Sequence, residues 1–336
     1  MNISPSHPTA SNEFVITRFL HAARALVWQA WTEPHYLKRW WGPHGFEIPE
    51  CELDVQEGGR YRIVMRSADR VNYPVQGIFS EVDPIERLVM TVDCSEHPPA
   101  WHDRVRPHRA QGDKNPAGVM LQTVTFENLG EATQLRIQTR FETPAARDAL
   151  LKIGMLQGWS QSLEQLDALV ISESGAADRH LRVSRLIDAP RERVFDAWTD
   201  PTQLLHWWGS NGFKTTHVSL DAREGGMWSF TMQGPDGTVY PNKVVYTEVV
   251  APERLVYAHN SDDLPKNSLH FRSTASFAEY GDKTLLTLYL LFPSAVERDR
   301  AQREFSAADG ARQMLDRLQD YLARTMANGR GPLPQP

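Results

Sequence analysis

Slid along itself by 167 positions, the separation of Trp31 from Trp198, the sequence matches without a gap from residues 14–89 onto residues 181–256. Arg18, Val27, Trp31, Thr32, Pro34, Leu37, Trp40, Trp41, Gly42, Gly45 and Phe46 meet Arg185, Val194, Trp198, Thr199, Pro201, Leu204, Trp207, Trp208, Gly209, Gly212 and Phe213. Leu53, Asp54, Glu57, Gly58 and Gly59 meet Leu220, Asp221, Glu224, Gly225 and Gly226, and Glu86-Arg87-Leu88-Val89 meets Glu253-Arg254-Leu255-Val256. Further on the separation falls to 151, that of Phe126 from Phe277, so the first copy carries about sixteen extra residues within EHPPAWHDRVRPHRAQGDKNPAGV. A period this long, seen twice, means duplicated whole domains, because a solenoid needs short units and at least three of them. Whatever the first half folds into, the second must fold into as well.

Each copy has the same order of elements. FVITRFLHA alternates like a strand, and ARALVWQAWT, repeated as PRERVFDAWT, reads as a short helix. PHYLKRWW adds a helical turn or two and leads through Gly42 and Gly45 into strands. In RYRIVMR, Tyr61, Ile63 and Met65 fall on one face and Arg60, Arg62 and Arg66 on the other; the second copy sets Trp228, Phe230 and Met232 against Ser229, Thr231 and Gln233. The pairs Gly58-Gly59 and Gly225-Gly226 suit hairpin turns, and Glu86-Arg87 and Glu253-Arg254 read as ion pairs within a turn. VMLQTVTFE and TQLRIQTRF, then FRSTASFAE and TLLTLYLLF, read as further strands. Each copy closes in one long amphipathic helix, capped at Thr143-Pro144 in the first and by the box Ser294 to Glu297 in the second. The pattern predicts an α+β chain: an antiparallel sheet curling around a long helix, built twice. Domains are expected at 12–172 and 180–327, with a linker at 173–179 and a disordered tail at 328–336.

The formal net charge of −6, with no long run of Lys or Arg, offers no general field for nucleic acid. Cys51 and Cys94, without counterparts in the second copy, read as reduced strand residues. MNISPSHPTASNEF has no secretory pattern, and no run of about eighteen apolar residues occurs; the expectation is a cytoplasmic protein with no membrane span. No nucleophile elbow, zincin, P-loop or dinucleotide motif is present, and no cofactor is implied. His97, His102, His108 and Asp103 lie in the extra stretch of copy one without metal-ligand spacing, so no metal site is expected. That stretch reads as a long polar loop, a lid or solvated flap over the first copy.

The ordered set A-W-T-x-P, W-W-G, G-F, an E-G-G turn, P-x-E-R-L and a helix containing GMLQGWSQSLEQL resembles the heat-shock-protein-90 ATPase activator homologues, of the SRPBCC superfamily that includes START and birch pollen allergen domains. The match covers nearly the whole chain, once per copy. The resemblance implies two tandem helix-grip domains, each a curved antiparallel sheet wrapped around a long C-terminal helix, with an elongated apolar cavity between them.

Aromatic walls with adaptable methionines suit a mostly apolar small ligand, and equally an ordinary filled core. The candidate ligand-binding residues are Trp41, Phe46, Tyr61, Met65, Phe79, Met120, Phe126, Met155 and Trp159 in copy one, and Trp208, Phe213, Trp228, Phe230, Met232, Tyr246, Phe277 and Met314 in copy two. Of two adjacent tryptophans at most one can face a cavity; either both wedge the second helix, or one lines the mouth. Gly154 and Gly158 leave room either for a ligand or for close approach of the helix. The bulkier wall of copy two points to copy one as the holder of a small hydrophobic ligand. The alternatives are a polyketide-cyclase-like enzyme using a polar group such as Gln122 or His97, and a chaperone-associated partner protein. The two copies are expected to pack as an intramolecular pseudo-dimer.

Overall fold

A computed structural model of the chain describes residues 12–110, 113, 115–175, 177–259 and 269–327, and it divides into two compact domains between Gly175 and Ala176. Domain 1 runs β1 (Glu13–Leu20), α1 (Arg24–Thr32), α2 (Pro34–Leu37), β2 (Glu47–Leu53), β3 (Arg60–Arg66), β4 (Asn72–Asp83), β5 (Arg87–Asp93), α3 (Pro99–Val105), β6 (Val119–Leu129), β7 (Ala132–Arg140), α4 (Pro144–Lys152) and α5 (Met155–Glu173). Domain 2 opens on a single 3-10 turn at Ala177–Arg179 and runs β8 (His180–Ile187), α6 (Arg191–Thr199), α7 (Pro201–Trp207), β9 (Lys214–Leu220), β10 (Met227–Gln233), β11 (Val239–Val250), β12 (Arg254–His259), β13 (Phe271–Tyr280), β14 (Lys283–Leu291), α8 (Ala295–Phe305) and α9 (Ala307–Ala327). The disordered tail expected at 328–336 lies outside the described residues.

Each domain is one seven-stranded antiparallel sheet, ordered β1-β7-β6-β5-β4-β3-β2 in the first and β8-β14-β13-β12-β11-β10-β9 in the second. Alternation selects the face: in β7, Leu135 and Ile137 are buried while Arg136 and Gln138 stay half-exposed. Leu163, Leu166 and Val170 on α5, like Leu315, Leu318 and Leu322 on α9, join the apolar core of their own domain. Each such side chain, fully buried, contributes roughly 1.5–3 kcal/mol.

The W-W-G motif ties the connecting helices to this frame. Trp40 and Trp207 are fully buried, and each donates its indole N–H to a carbonyl ten residues earlier: Ala30 at 2.8 Å and Ala197 at 3.1 Å. Gly42 and Gly209 then take φ of +96° and +106°, a left-handed turn that side chains rarely adopt. The long helix clamps this turn. The Gln165 amide donates to the Gly42 carbonyl at 2.8 Å; Arg317 donates to the carbonyls of Gly209, Ser210 and Phe213 at 3.1, 2.8 and 3.0 Å.

Three expectations are corrected. The closing helix is not continuous: α4 ends before Gly154 (φ +103°) and α8 before Ser306 (φ +48°), so a left-handed residue separates a short helix from the long one. Thr143 and Ser294 therefore cap α4 and α8, accepting from the amides of Ala146 and Glu297. The extra stretch of copy one is not merely a polar loop. Pro98 and Pro99 start α3, whose His102 and Val105 are buried, with Trp101 half-buried against the core. Glu86 and Arg87 do not pair with each other: Glu86 meets Arg24 and Arg87 meets Glu81, while Glu253 meets Arg191 and Arg254 meets Glu248. These charges brace neighbouring elements instead.

Replacing Trp40 or Trp207 by Phe leaves the Ala30 or Ala197 carbonyl without its donor. We expect each change to lower the stability of its own domain by about 1–3 kcal/mol in urea unfolding. An unchanged midpoint would show that the indole hydrogen bond contributes nothing.

Candidate functional site: the inward faces of the two sheets

Because the strands pair in the same way in both domains, positions can be compared directly. One inward row across domain 1 reads Phe79, Met90, Gln122, Thr139 and Phe14. The matching row across domain 2 reads Tyr246, Tyr257, Ser273, Leu290 and Leu181. On the long helices the register is set by Gln161, which accepts from the His44 amide, and Gln313, which accepts from the Asn211 amide. Ser162 therefore stands where domain 2 has Met314. Tyr61, Ile63 and Gly77 likewise stand where domain 2 has Trp228, Phe230 and Val244.

In domain 2 the larger side chains meet ring on ring. Trp208 lies 4.5 Å from Trp228 and 5.6 Å from Phe230, Trp228 lies 4.6 Å from Phe230, and Tyr246 lies 5.7 Å from Tyr257, centroid to centroid. Phe277 packs on Trp198 at 5.7 Å, and Met314 is buried. Burial pushes the Tyr246 and Tyr257 phenols upward, so both stay neutral. The Nε1 of Trp228 and the hydroxyl of Tyr246 have no hydrogen-bond partner among the described residues, but they are wedged among these rings.

Domain 1 is built differently. Phe79 and Phe126 are buried, and Tyr61 is both buried and committed, donating its hydroxyl to the Thr91 carbonyl at 2.8 Å. Trp41 and Trp159 are half-buried and touch edge to face at 5.4 Å; Trp159 also stacks on Trp31 at 6.2 Å. The second tryptophan of each pair thus faces inward while the first is the wedge. Met120 is buried; Met65 and Met155 are half-buried against the core. Phe46 and Phe213 leave this inner wall, each meeting a tyrosine, Tyr73 and Tyr240, at 5.8 Å. Met232 packs at the rim, its sulfur near Gly209. Gly154 heads α5 with open space beside it, whereas Gly158 faces Pro43 and serves close approach of the helix to the W-W-G turn.

Gln122 is 2% exposed and Thr139 is 1% exposed, and they are cross-strand neighbours. The Nε2 of Gln122 and the Oγ1 of Thr139 have no hydrogen-bond partner among the described residues. An unpaired buried donor costs about 1–3 kcal/mol, so this pair is a place where a polar atom of another molecule would be welcome. Ser162 adds a second hydroxyl, from α5, donated to the Gly158 carbonyl at 3.0 Å. Thr139 and Ser162 are invisible in the sequence taken alone. They show only when the rows are aligned and Leu290 and Met314 appear in their places.

His97 sits where the extra stretch begins. Its ring lies 4.4 Å from Trp101 and 5.4 Å from Tyr73, and neither ring nitrogen has a partner among the described residues. Burial, reinforced by the neighbouring His102, lowers its pKa from 6.5 to about 4, against a smaller opposing pull from Asp93. His102 points inward to the Ser95 carbonyl, whereas His108 and Asp103 are exposed and Asp103 pairs with Arg109. Cys51 and Cys94 are buried and free, their thiols pushed up to about 11 and about 12 by burial.

A sheet wrapped on a long helix, twice in one chain, is a tandem helix-grip architecture. The sequence model of the family described as "Activator of Hsp90 ATPase homolog 1-like protein" matches residues 21–170 and 188–323, so the chain belongs to this family, with one member domain in each half. No curated protein matches the sequence. Among solved structures, a protein from Nitrosomonas europaea is similar at 20% identity and a TM-score of 0.42, covering 45% of this chain and 98% of that one. One from Chromobacterium violaceum is similar at 27% identity and a TM-score of 0.37, covering 47% and 97%. The di-domain ARO/CYC StfQ from the steffimycin biosynthetic pathway is similar over 94% of this chain and 99% of its own, at 11% identity and a TM-score of 0.36. No helix of the described residues is long and apolar enough to cross a membrane.

Neutral His97 is favoured in the folded state, so between pH 6.5 and 4 the unfolded chain binds the extra proton. Stability of domain 1 should therefore fall as pH drops through that window, by an amount on the order of 3 kcal/mol from this residue, and level off below it. Comparing the wild type with His97→Phe in urea unfolding at pH 7, 5.5 and 4.5 isolates the effect. Parallel pH profiles would contradict it.

Proposed function

We propose that domain 1 binds a small, mostly apolar molecule between its sheet and α5, with one polar end at Gln122 and Thr139, and that domain 2 is a filled structural copy. The observation that carries this reading is the unpaired, buried Gln122–Thr139 pair, set where domain 2 has Ser273 and Leu290. Two smaller residues along the same wall support it, Met90 for Tyr257 and Ser162 for Met314. Trp41, Phe79, Met120, Phe126 and Trp159 supply the apolar walls. The candidate residues of domain 2 are then core residues with no ligand of their own.

A proton-transferring enzyme draws less support. His97 is the buried base nearest in character, yet a pKa near 4 makes it a weak one, and it packs among rings with no hydrogen-bond partner among the described residues. A cytoplasmic location and a surface role beside a chaperone remain compatible with this reading and are not required by it.

The test is to write domain 2 into domain 1. Native mass spectrometry of the protein purified from its own host should show one bound small molecule per chain. In Thr139→Leu with Ser162→Met that mass should vanish while the fold is kept, and Gln122→Leu should weaken retention by about tenfold, the worth of one hydrogen bond. A chain that carries no ligand, or a filled variant that still carries it, would overturn the proposal.

A further inference from the structure

The inward rows leave unexplained what the other face of the domain 1 sheet is built for. A concavity of about 160 Å³ opens there across β5, β6 and β7, lined by Arg87, Arg136 and Arg140 with Thr123, Thr125 and Gln138. These residues alternate with the buried Leu88, Val124, Leu135 and Ile137, so the concavity lies on the side away from α5. It is a site distinct from the ligand site proposed above and does not depend on it.

Three guanidiniums around one small hollow repel each other unless something negative is shared among them. Part of that need is met within the sheet. Arg140 donates to Glu13 at 3.0 Å and Arg87 pairs with Glu81 at 3.0 Å. Arg136 has no carboxylate partner among the described residues; it donates to the side-chain oxygen Oε1 of Gln138 at 2.8 Å, and the Nε2 of the same amide donates in turn to Glu13 at 2.8 Å. This chain orients the Gln138 amide and holds Arg136 in place while leaving most of its fork of donors uncommitted. The hydroxyls of Thr123 and Thr125 add neutral donors on the neighbouring strand.

The arrangement belongs to domain 1 alone. Arg136, Gln138 and Arg140 hold the β7 positions at which β14 carries Thr287, Tyr289 and Leu291; the arginine at 87 recurs at 254, where it pairs with Glu248. The shared fold therefore does not require two of the three arginines.

We infer that this concavity is an oxyanion site, taking a phosphate-type group on a small molecule, with Arg136 as the central donor. Planar guanidiniums match phosphate oxygens two at a time, and hydroxyl donors complete such a shell. The hollow holds one such group and a small remainder, not a polymer. The experiment is a calorimetric titration of the full chain with methyl phosphate at low ionic strength, repeated at physiological salt. Expected is saturable binding at one site per chain, weakened at least tenfold by Arg136→Gln and lessened by salt. Arg60→Gln, an exposed arginine on the same domain outside the hollow, should leave binding unchanged; thermal unfolding of both variants checks that the fold persists. No saturable binding at low salt, or equal loss in the Arg136 and Arg60 variants, would overturn the site in favour of diffuse surface charge.

Discussion

The indole N–H of the first tryptophan in each W-W-G motif reaches back to a carbonyl of the preceding helix, and the rest of each domain depends on that reach. It fixes the angle between the two short connecting helices and delivers the next tryptophan to the interior. It also leaves the glycine turn in position for a donor on the long helix, Gln165 in one domain and Arg317 in the other. Sheet, connecting helices and closing helix meet at this point. A short side chain there would free all three, which is why the motif recurs in both copies although the residues they face do not.

With the frame held at the W-W-G turn, the inward row is free to change. Domain 2 uses that freedom to fill: its rings satisfy most of their contacts with one another, as a core at close-packed density does. Domain 1 uses it to place Gln122 beside Thr139 at the same height in the sheet, with no partner among the described residues for the Nε2 of the one or the Oγ1 of the other. Two sequences under one set of backbone pairings make the comparison internal. A buried amide tolerated in one copy and avoided in the other is not a demand of the fold.

Much of this architecture was legible in the sequence. The self-match located both domains, and alternation in segments such as RYRIVMR assigned strands and faces, because a pleated sheet with one buried side imposes a period of two. What escaped was set by contacts between segments distant in the chain. The break at Gly154 could be read as room for a ligand, and the break at Ser306 carries no local signal, since a serine rarely takes a left-handed φ. The charges of Glu86-Arg87 look like a local pair until the approach of Arg24 and Glu81 offers better ones. The helix α3 was hidden because a run of proline, histidine and arginine reads as loop; its packing of Trp101, His102 and Val105 on the domain stabilises it. Of the candidate site residues, the aromatic ones were found because rings are conspicuous, whereas Thr139 and Ser162 are ordinary residues made notable by what stands opposite.

The two faces of the domain 1 sheet share strands, and that constrains both. Gln122, Val124 and Phe126 point toward α5 while Thr123 and Thr125 point to the arginine-lined hollow; on β7, Thr139 faces inward and its neighbours Gln138 and Arg140 outward. A shift of register by one residue would exchange the two sets, placing guanidiniums in the core at a desolvation cost of several kcal/mol each. The arginines that line the outer hollow therefore also enforce the register that brings Gln122 and Thr139 together inside. Domain 2, with threonine, tyrosine and leucine at the matching outward positions of β14, lacks this safeguard and relies on its packed rings instead.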